Sequence, residues 1–90
     1  MKTISITVSG KVQGVFYRQS TKEKANELGL TGEVSNLEDG NVLIIASGME
    51  TQLQQLIDWC RTGPPKASVA NVEVNDVPFR SFARFSIIRF

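Results

Sequence analysis

The chain contains no histidine. That excludes a histidine-ligated metal site, a serine–histidine nucleophile pair and a phosphohistidine intermediate. It has one cysteine, Cys60, so no internal disulfide can form. With no disulfide framework to build, a reducing cytoplasm is the expected compartment. The longest aliphatic run, residues 42–46, is far too short to cross a bilayer. Residues 1–5 carry no long apolar stretch, so no signal peptide is expected. Excess charge of one sign is also missing: the formal net charge is +1. No global field draws nucleic acid or an anionic membrane, and any anion site must be local. There is no repeat, low-complexity tract or linker, and 90 residues read as one domain, 1–90.

What is present is a clear succession of periods. Ile4, Ile6 and Val8 alternate with polar residues, which predicts a half-buried strand over 3–9. A loop over 10–17 follows, then a helix over 18–28 with Ala25 and Leu28 inward. Its apolar stripe is thin, so Thr21 and lysine stems help to cover the sheet. Gly29 is placed to cap that helix. A second strand is read over 31–37. Glu38-Asp39-Gly40-Asn41 is a turn signal, because Asp-Gly tolerates positive φ. Residues 42–46 read as a central strand, apolar on both faces. Leu53, Leu56, Ile57 and Cys60 recur at helical spacing within 50–61, with Trp59 at the edge of that face. Gly63-Pro64-Pro65 ends the helix. A fourth strand is read within 69–76, a connection over 77–84 and a final strand over 85–90. The order is that of the ferredoxin-like split βαβ, an α+β fold of βαββαβ plus a short C-terminal strand. It predicts a mostly antiparallel sheet with two helices on one face and the other face left for solvent or a partner.

The chemistry concentrates in Gly10-Lys11-Val12-Gln13-Gly14-Val15-Phe16-Tyr17-Arg18. Two glycines bracket a loop that feeds a helix N-terminus. Such a loop aims main-chain N–H groups at one point, and the helix end adds partial positive charge. Arg18 adds a full charge and a planar fork matched to phosphate oxygens. The expected result is a phosphate cradle built from Arg18 and the backbone amides of Gly14, Val15, Phe16, Tyr17 and Arg18. Gly10-Lys11 is not a nucleotide P-loop, because the required spacing and the Ser or Thr after the lysine are absent.

Asn36, at the end of the second strand, is the expected partner. A carboxamide is not basic enough to deprotonate water, but it can orient a water for in-line attack on phosphorus. No strong acid or base stands nearby, and this restricts the substrate. A phosphate ester of an alcohol has a poor leaving group and demands a metal, an acid or a covalent nucleophile. A carboxylic–phosphoric anhydride releases a carboxylate, of pKa about 4, without a proton. Positioning and charge stabilisation then suffice.

The loop string, Gly29-Leu30-Thr31-Gly32, Val34-Ser35-Asn36-Leu37-Glu38-Asp39-Gly40, Gly63-Pro64-Pro65 and the ending Phe85-Ser86-Ile87-Ile88-Arg89-Phe90 together resemble the acylphosphatase family. The resemblance covers essentially the whole chain. It implies a ferredoxin-like fold and metal-independent hydrolysis of small acyl phosphates with no cofactor. By the same resemblance the loop arginine, Arg18, binds the phosphoryl group with the neighbouring amides, and the strand asparagine, Asn36, orients water. The chain departs from the pattern at Glu33, where many relatives carry an aromatic residue. That departure bears on the packing of the second strand and, if Glu33 repels an anion, on substrate preference.

The rival reading is a non-catalytic ferredoxin-like module, such as an RNA-binding one. Phe79, Phe82, Phe85 and Phe90 interleave with Arg80, Arg84 and Arg89, and arginines beside aromatic rings hold phosphates and stack bases. RNA-recognition domains, however, place aromatics on a central strand, and residues 42–46 are aliphatic. The expectation is a small-molecule substrate, no nucleic acid or membrane partner, and a monomer. Cys60, on an apolar helical face, reads as a core residue rather than a nucleophile.

Overall fold

The computed structural model describes residues 1–89. The element order is β1 (Lys2–Lys11), α1 (Tyr17–Glu27), β2 (Thr31–Asn36), β3 (Val42–Gly48), α2 (Glu50–Cys60), β4 (Ser68–Val77) and β5 (Phe85–Ile88). The strands form one sheet in the order β4-β1-β3-β2-β5. Every pairing is antiparallel except β2 with β5. Both strand–helix–strand units therefore straddle a strand of the other unit, which is the split βαβ arrangement.

Alternation decides the two faces of the sheet. Ile4, Ile6 and Val8 on β1 pair with Ala46, Ile44 and Val42 on β3, and all six are buried. Val34 on β2 faces Ile44, and Phe85 on β5 extends the same layer across Gly32. Leu53, Leu56, Ile57 and Cys60 of α2 and Ala25 of α1 close over this face. Each such aliphatic side chain removed from water contributes about 1.5–3 kcal/mol, so the strand period and the helix period meet in one core.

Several details differ from the sequence expectation. β1 runs on through Gly10 and Lys11, which the sequence assigns to the loop. They pair with Val69 and Ser68 after a register shift at Ser9/Gly10. Gly10 stands at φ 121, and a Cβ there would collide with the Ser68 carbonyl. Its primary service is thus close approach of β1 and β4 at a bulge. α1 begins at Tyr17, one residue earlier than expected, and its buried face is Tyr17, Thr21 and Ala25, with Leu28 only half-buried. The helix closes with Leu30 N–H donating to Ala25 and Gly29 N–H to Asn26, a Schellman pair. β5 ends at Ile88, so Arg89 lies beyond it. The remaining residue of that expected strand, Phe90, lies outside the described residues.

The second face of the sheet is not wholly left open. β4 and β5 occupy opposite edges, and residues 78–84 must cross from one to the other. They do so over the second face, at the end where β1 and β2 begin. Arg80 N–H donates to Thr3 Oγ1 (2.9 Å), and Ser47 Oγ donates to Arg80 O (2.7 Å). Thr3 and Ser47 are buried beneath this belt and share a hydrogen bond of 2.6 Å. No hydrophobic period announces such a crossing, so the sequence reads it only as a connection.

Candidate active site

Two valines hold the β1–α1 loop to the core: Val12 and Val15 are both buried. Between and after them the backbone turns through the left-handed region, at Gly14 (φ 74) and Phe16 (φ 65). Glycine adopts that conformation freely, whereas a bulky residue does so at a cost. Phe16 is the N-cap of α1, and no side chain caps the helix. Its first turn also carries no acidic residue. Among the described residues, no main-chain carbonyl outside the helices and strands accepts from the amides of residues 14–19. A helix N-terminus left in this state is a ready anion site.

Tyr17 turns away from this concavity. It is fully buried, its hydroxyl donates to Cys60 O at 2.7 Å, and its ring tilts against Trp59 at 5.5 Å. The start of α1 is thereby fixed to the end of α2. Thr21 Oγ1 donates back to Tyr17 O at 2.7 Å, so its polar group is satisfied inside the core. Burial, with Cys60 adding to it, drives the Tyr17 phenol well above its ordinary pKa. Burial likewise pushes the Cys60 thiol up to about 12. A thiol kept protonated at neutral pH and enclosed in the core is not a nucleophile.

A second clamp joins the loop to the β2–β3 turn. Gln13 Nε2 donates to Leu37 O at 2.8 Å and to Asn41 O at 2.9 Å. The turn itself is held by Leu37 N–H to Asn41 O (2.8 Å) and by Asn41 N–H to Asp39 Oδ1 (3.0 Å). Asn36 is the last residue of β2, directly before this turn, and shares the core-side face with Val34. Among the described residues, Asn36 Oδ1 is the one buried side-chain polar atom with no hydrogen-bond partner. An orphaned buried acceptor costs about 1–3 kcal/mol, and such an atom beside a cavity points to water or a ligand.

Gly14, Phe16, Tyr17, Arg18 and Asn36 line one cavity of about 320 Å³, which Ile87 and Arg89 complete from the C-terminal side. Arg18 and Asn36 also border a neighbouring recess of about 310 Å³ with Ile88 and Arg89. Of the expected site residues, only Val15 does not line the cavity, because its side chain is in the core. Only its main chain is free to take part. Sequence reasoning missed Gln13 as a clamp and Arg89 as a second cation beside Arg18. The double main-chain contact of Gln13 leaves no residue pattern, and Arg89 reaches the site only because β5 is parallel to β2.

Glu33 proves remote from the phosphate side. It precedes Val34 and so points to the opposite face from Asn36. There it meets Arg80 at 3.2 Å, whose guanidinium also lies 4.7 Å from the Phe82 ring centre. The anion repulsion weighed from sequence is therefore directed away from Arg18. The aromatic residues of the C-terminal segment are scattered: Phe85 is in the core, Phe82 lies under Arg80, and Phe79 is exposed.

The acylphosphatase family model matches residues 4–87. The acylphosphatase of Acaryochloris marina is 48% identical over 86 residues, covering 96% of this chain and 92% of its own length. The solved acylphosphatase of Coxiella burnetii superimposes with a TM-score of 0.94 at 42% identity, covering 97% of this chain and 92% of that one. The acylphosphatase of Bacillus subtilis gives a TM-score of 0.95 at 34% identity, covering 99% and 100%. No helix among the described residues is long and apolar enough to cross a membrane. With a matching model over nearly all its length and the same fold as solved members, this chain belongs to the acylphosphatase family.

Proposed function

We propose that the chain hydrolyses the carboxyl–phosphate bond of small acyl phosphates, with Arg18 and the amides of Gly14, Val15, Phe16, Tyr17 and Arg18 holding the phosphoryl group and Asn36 orienting water. The observation that carries this reading is the convergence on one cavity of Arg18, an uncapped helix N-terminus and Asn36, whose Oδ1 has no partner among the described residues. Donors fixed in place before the substrate arrives stabilise charge without reorganisation. Asn36 Oδ1 accepts from the attacking water and aims its lone pair at phosphorus. The bond from water oxygen to phosphorus forms as the bond from phosphorus to the acyl oxygen breaks. The carboxylate leaves with that electron pair, and the water's proton passes to a phosphate oxygen. Products are a carboxylate and inorganic phosphate, so atoms and charge balance with no protein base, metal or cofactor. Arg18 acts on the substrate and on the transition state alike, whereas Asn36 acts chiefly in the transition state.

The same reading makes residues 1–90 one catalytic domain, working as a cytoplasmic monomer on a diffusible substrate. The test is hydrolysis of benzoyl phosphate in the presence of a chelator. Release of phosphate well above the spontaneous rate is expected, and none above it overturns the activity. Arg18→Ala is expected to raise the inhibition constant of inorganic phosphate by about 10²-fold, the scale of a lost charge-assisted bidentate contact. Unchanged phosphate affinity in that variant removes Arg18 from the site.

A further inference from the structure

Phe16 combines three properties that packing does not explain. Its backbone is left-handed, at φ 65 and ψ 22, and it is the only residue other than glycine with positive φ among those described. Holding a bulky side chain there costs on the order of 1–3 kcal/mol. Its ring is 72% exposed, so the core gains little from it. And Phe16 is one of the residues that line the cavity holding Arg18 and Asn36. Glycine or asparagine would satisfy the backbone with less strain and less apolar surface in water.

The geometry of the cavity gives the ring something to do. At about 320 Å³ it offers more space than a phosphoryl group and one attacking water require. The phosphoryl end belongs against the amides and Arg18, so the remaining space takes the acyl end. Phe16 and Ile87 are apolar residues of the cavity lining. We infer that the Phe16 ring is the specificity-determining contact for the acyl group, and that it favours aromatic and larger apolar acyl phosphates over acetyl phosphate. This inference rests on the site reading above and adds the substrate class.

The experiment compares kcat/KM for benzoyl phosphate with kcat/KM for acetyl phosphate. Both share the phosphoryl end, so a general disturbance of the loop cancels in the ratio. Phe16→Asn tolerates the left-handed backbone and removes the ring. It is expected to lower the benzoyl-to-acetyl ratio about tenfold, the scale of one lost aromatic contact. Phe16→Trp keeps an aromatic surface and is expected to keep the ratio within about threefold of the parent. Phe16→Gly fits the backbone with no strain and repeats the comparison should the asparagine variant fold poorly. An unchanged ratio in the ring-less variants overturns the inference. It would send the acyl group to the neighbouring recess of Ile88 and Arg89, where none of the described lining residues is aromatic. That outcome leaves the site reading intact, whereas retained phosphate affinity in Arg18→Ala defeats the site reading whatever the ratio.

Discussion

Among the described residues Asn36 Oδ1 is buried without a partner, and an atom in that position destabilises the fold that carries it. Asn36→Ala therefore has two expected effects of opposite sign. Turnover falls by at least about 10²-fold, with KM for benzoyl phosphate little changed, because one positioned polar group is lost from the transition state. Thermal stability stays level or rises, because the orphan acceptor is gone. Steady-state kinetics and a melting curve on one preparation check both. Tyr17 behaves the other way: Tyr17→Phe deletes the donor to Cys60 O and leaves that carbonyl unpaired in the core. A loss of about 1–3 kcal/mol is expected, which in a chain of this size lowers Tm by several degrees. Residue by residue, the sequence was most informative where chemistry needs a particular side chain. Arg18 and Asn36 stood out because few residue types bind phosphate or steer water. Phe16 did not, since nothing in a phenylalanine announces a left-handed backbone. Gly10 was misread as a loop glycine, because a bulge inside a strand and the start of a loop leave the same mark.

At the scale of elements, two polar clamps hold the site: Gln13 ties the loop to the β2–β3 turn, and Tyr17 ties the start of α1 to the end of α2. Gln13 uses both amide protons on Leu37 O and Asn41 O, so it sets the distance between the loop and the end of β2. Gln13→Ala is expected to lower kcat about tenfold through misplacement of Asn36 relative to the loop, with a smaller change in phosphate affinity, since Arg18 and its amides remain. Equal losses in both would make Gln13 a general prop of the loop. Strand and helix identities were legible wherever apolar residues kept a strict period, as in Ile4, Ile6 and Val8 or in Leu53, Leu56 and Ile57. Ends were less so, because Lys11, Ser68 and Val77 extend their strands by backbone pairing that side chains do not signal. The belt over 78–84 was opaque for a related reason: besides the Arg80–Glu33 pair, Arg80 is held through its own N–H and O by the Thr3 and Ser47 hydroxyls, and the main-chain half of such contacts has no residue code.

Across the whole molecule, two buried acids sit side by side at the junction of the helices. The Cys60 thiol is raised from 9.0 to about 12, and the Tyr17 phenol is raised from 10.0. Above pH 9 the unfolded chain releases the thiol proton while the folded chain keeps it, so the folded state binds more protons. Stability is then fully present below pH 9 and declines as pH rises, by up to about 1.4 kcal/mol per pH unit for the thiol and as much again above pH 10 for the phenol. Denaturant unfolding between pH 7 and 11 is expected to show this fall, and Cys60→Ala is expected to remove its onset near pH 9. The overall topology was legible from the order of elements, since four strands and two helices in that order leave few ways to build one sheet.

The position of β5 carries one more consequence. Seven residues separate Val77 from Phe85, yet they span the width of the sheet between its two edges. β5 is in effect a short peptide bound to the edge of β2 and kept there by its own leash. Effective concentration, rather than intrinsic affinity alone, keeps it seated. Cutting that leash would leave the β4-β1-β3-β2 pairings intact while the strand bearing Ile87, and Arg89 behind it, becomes free to dissociate.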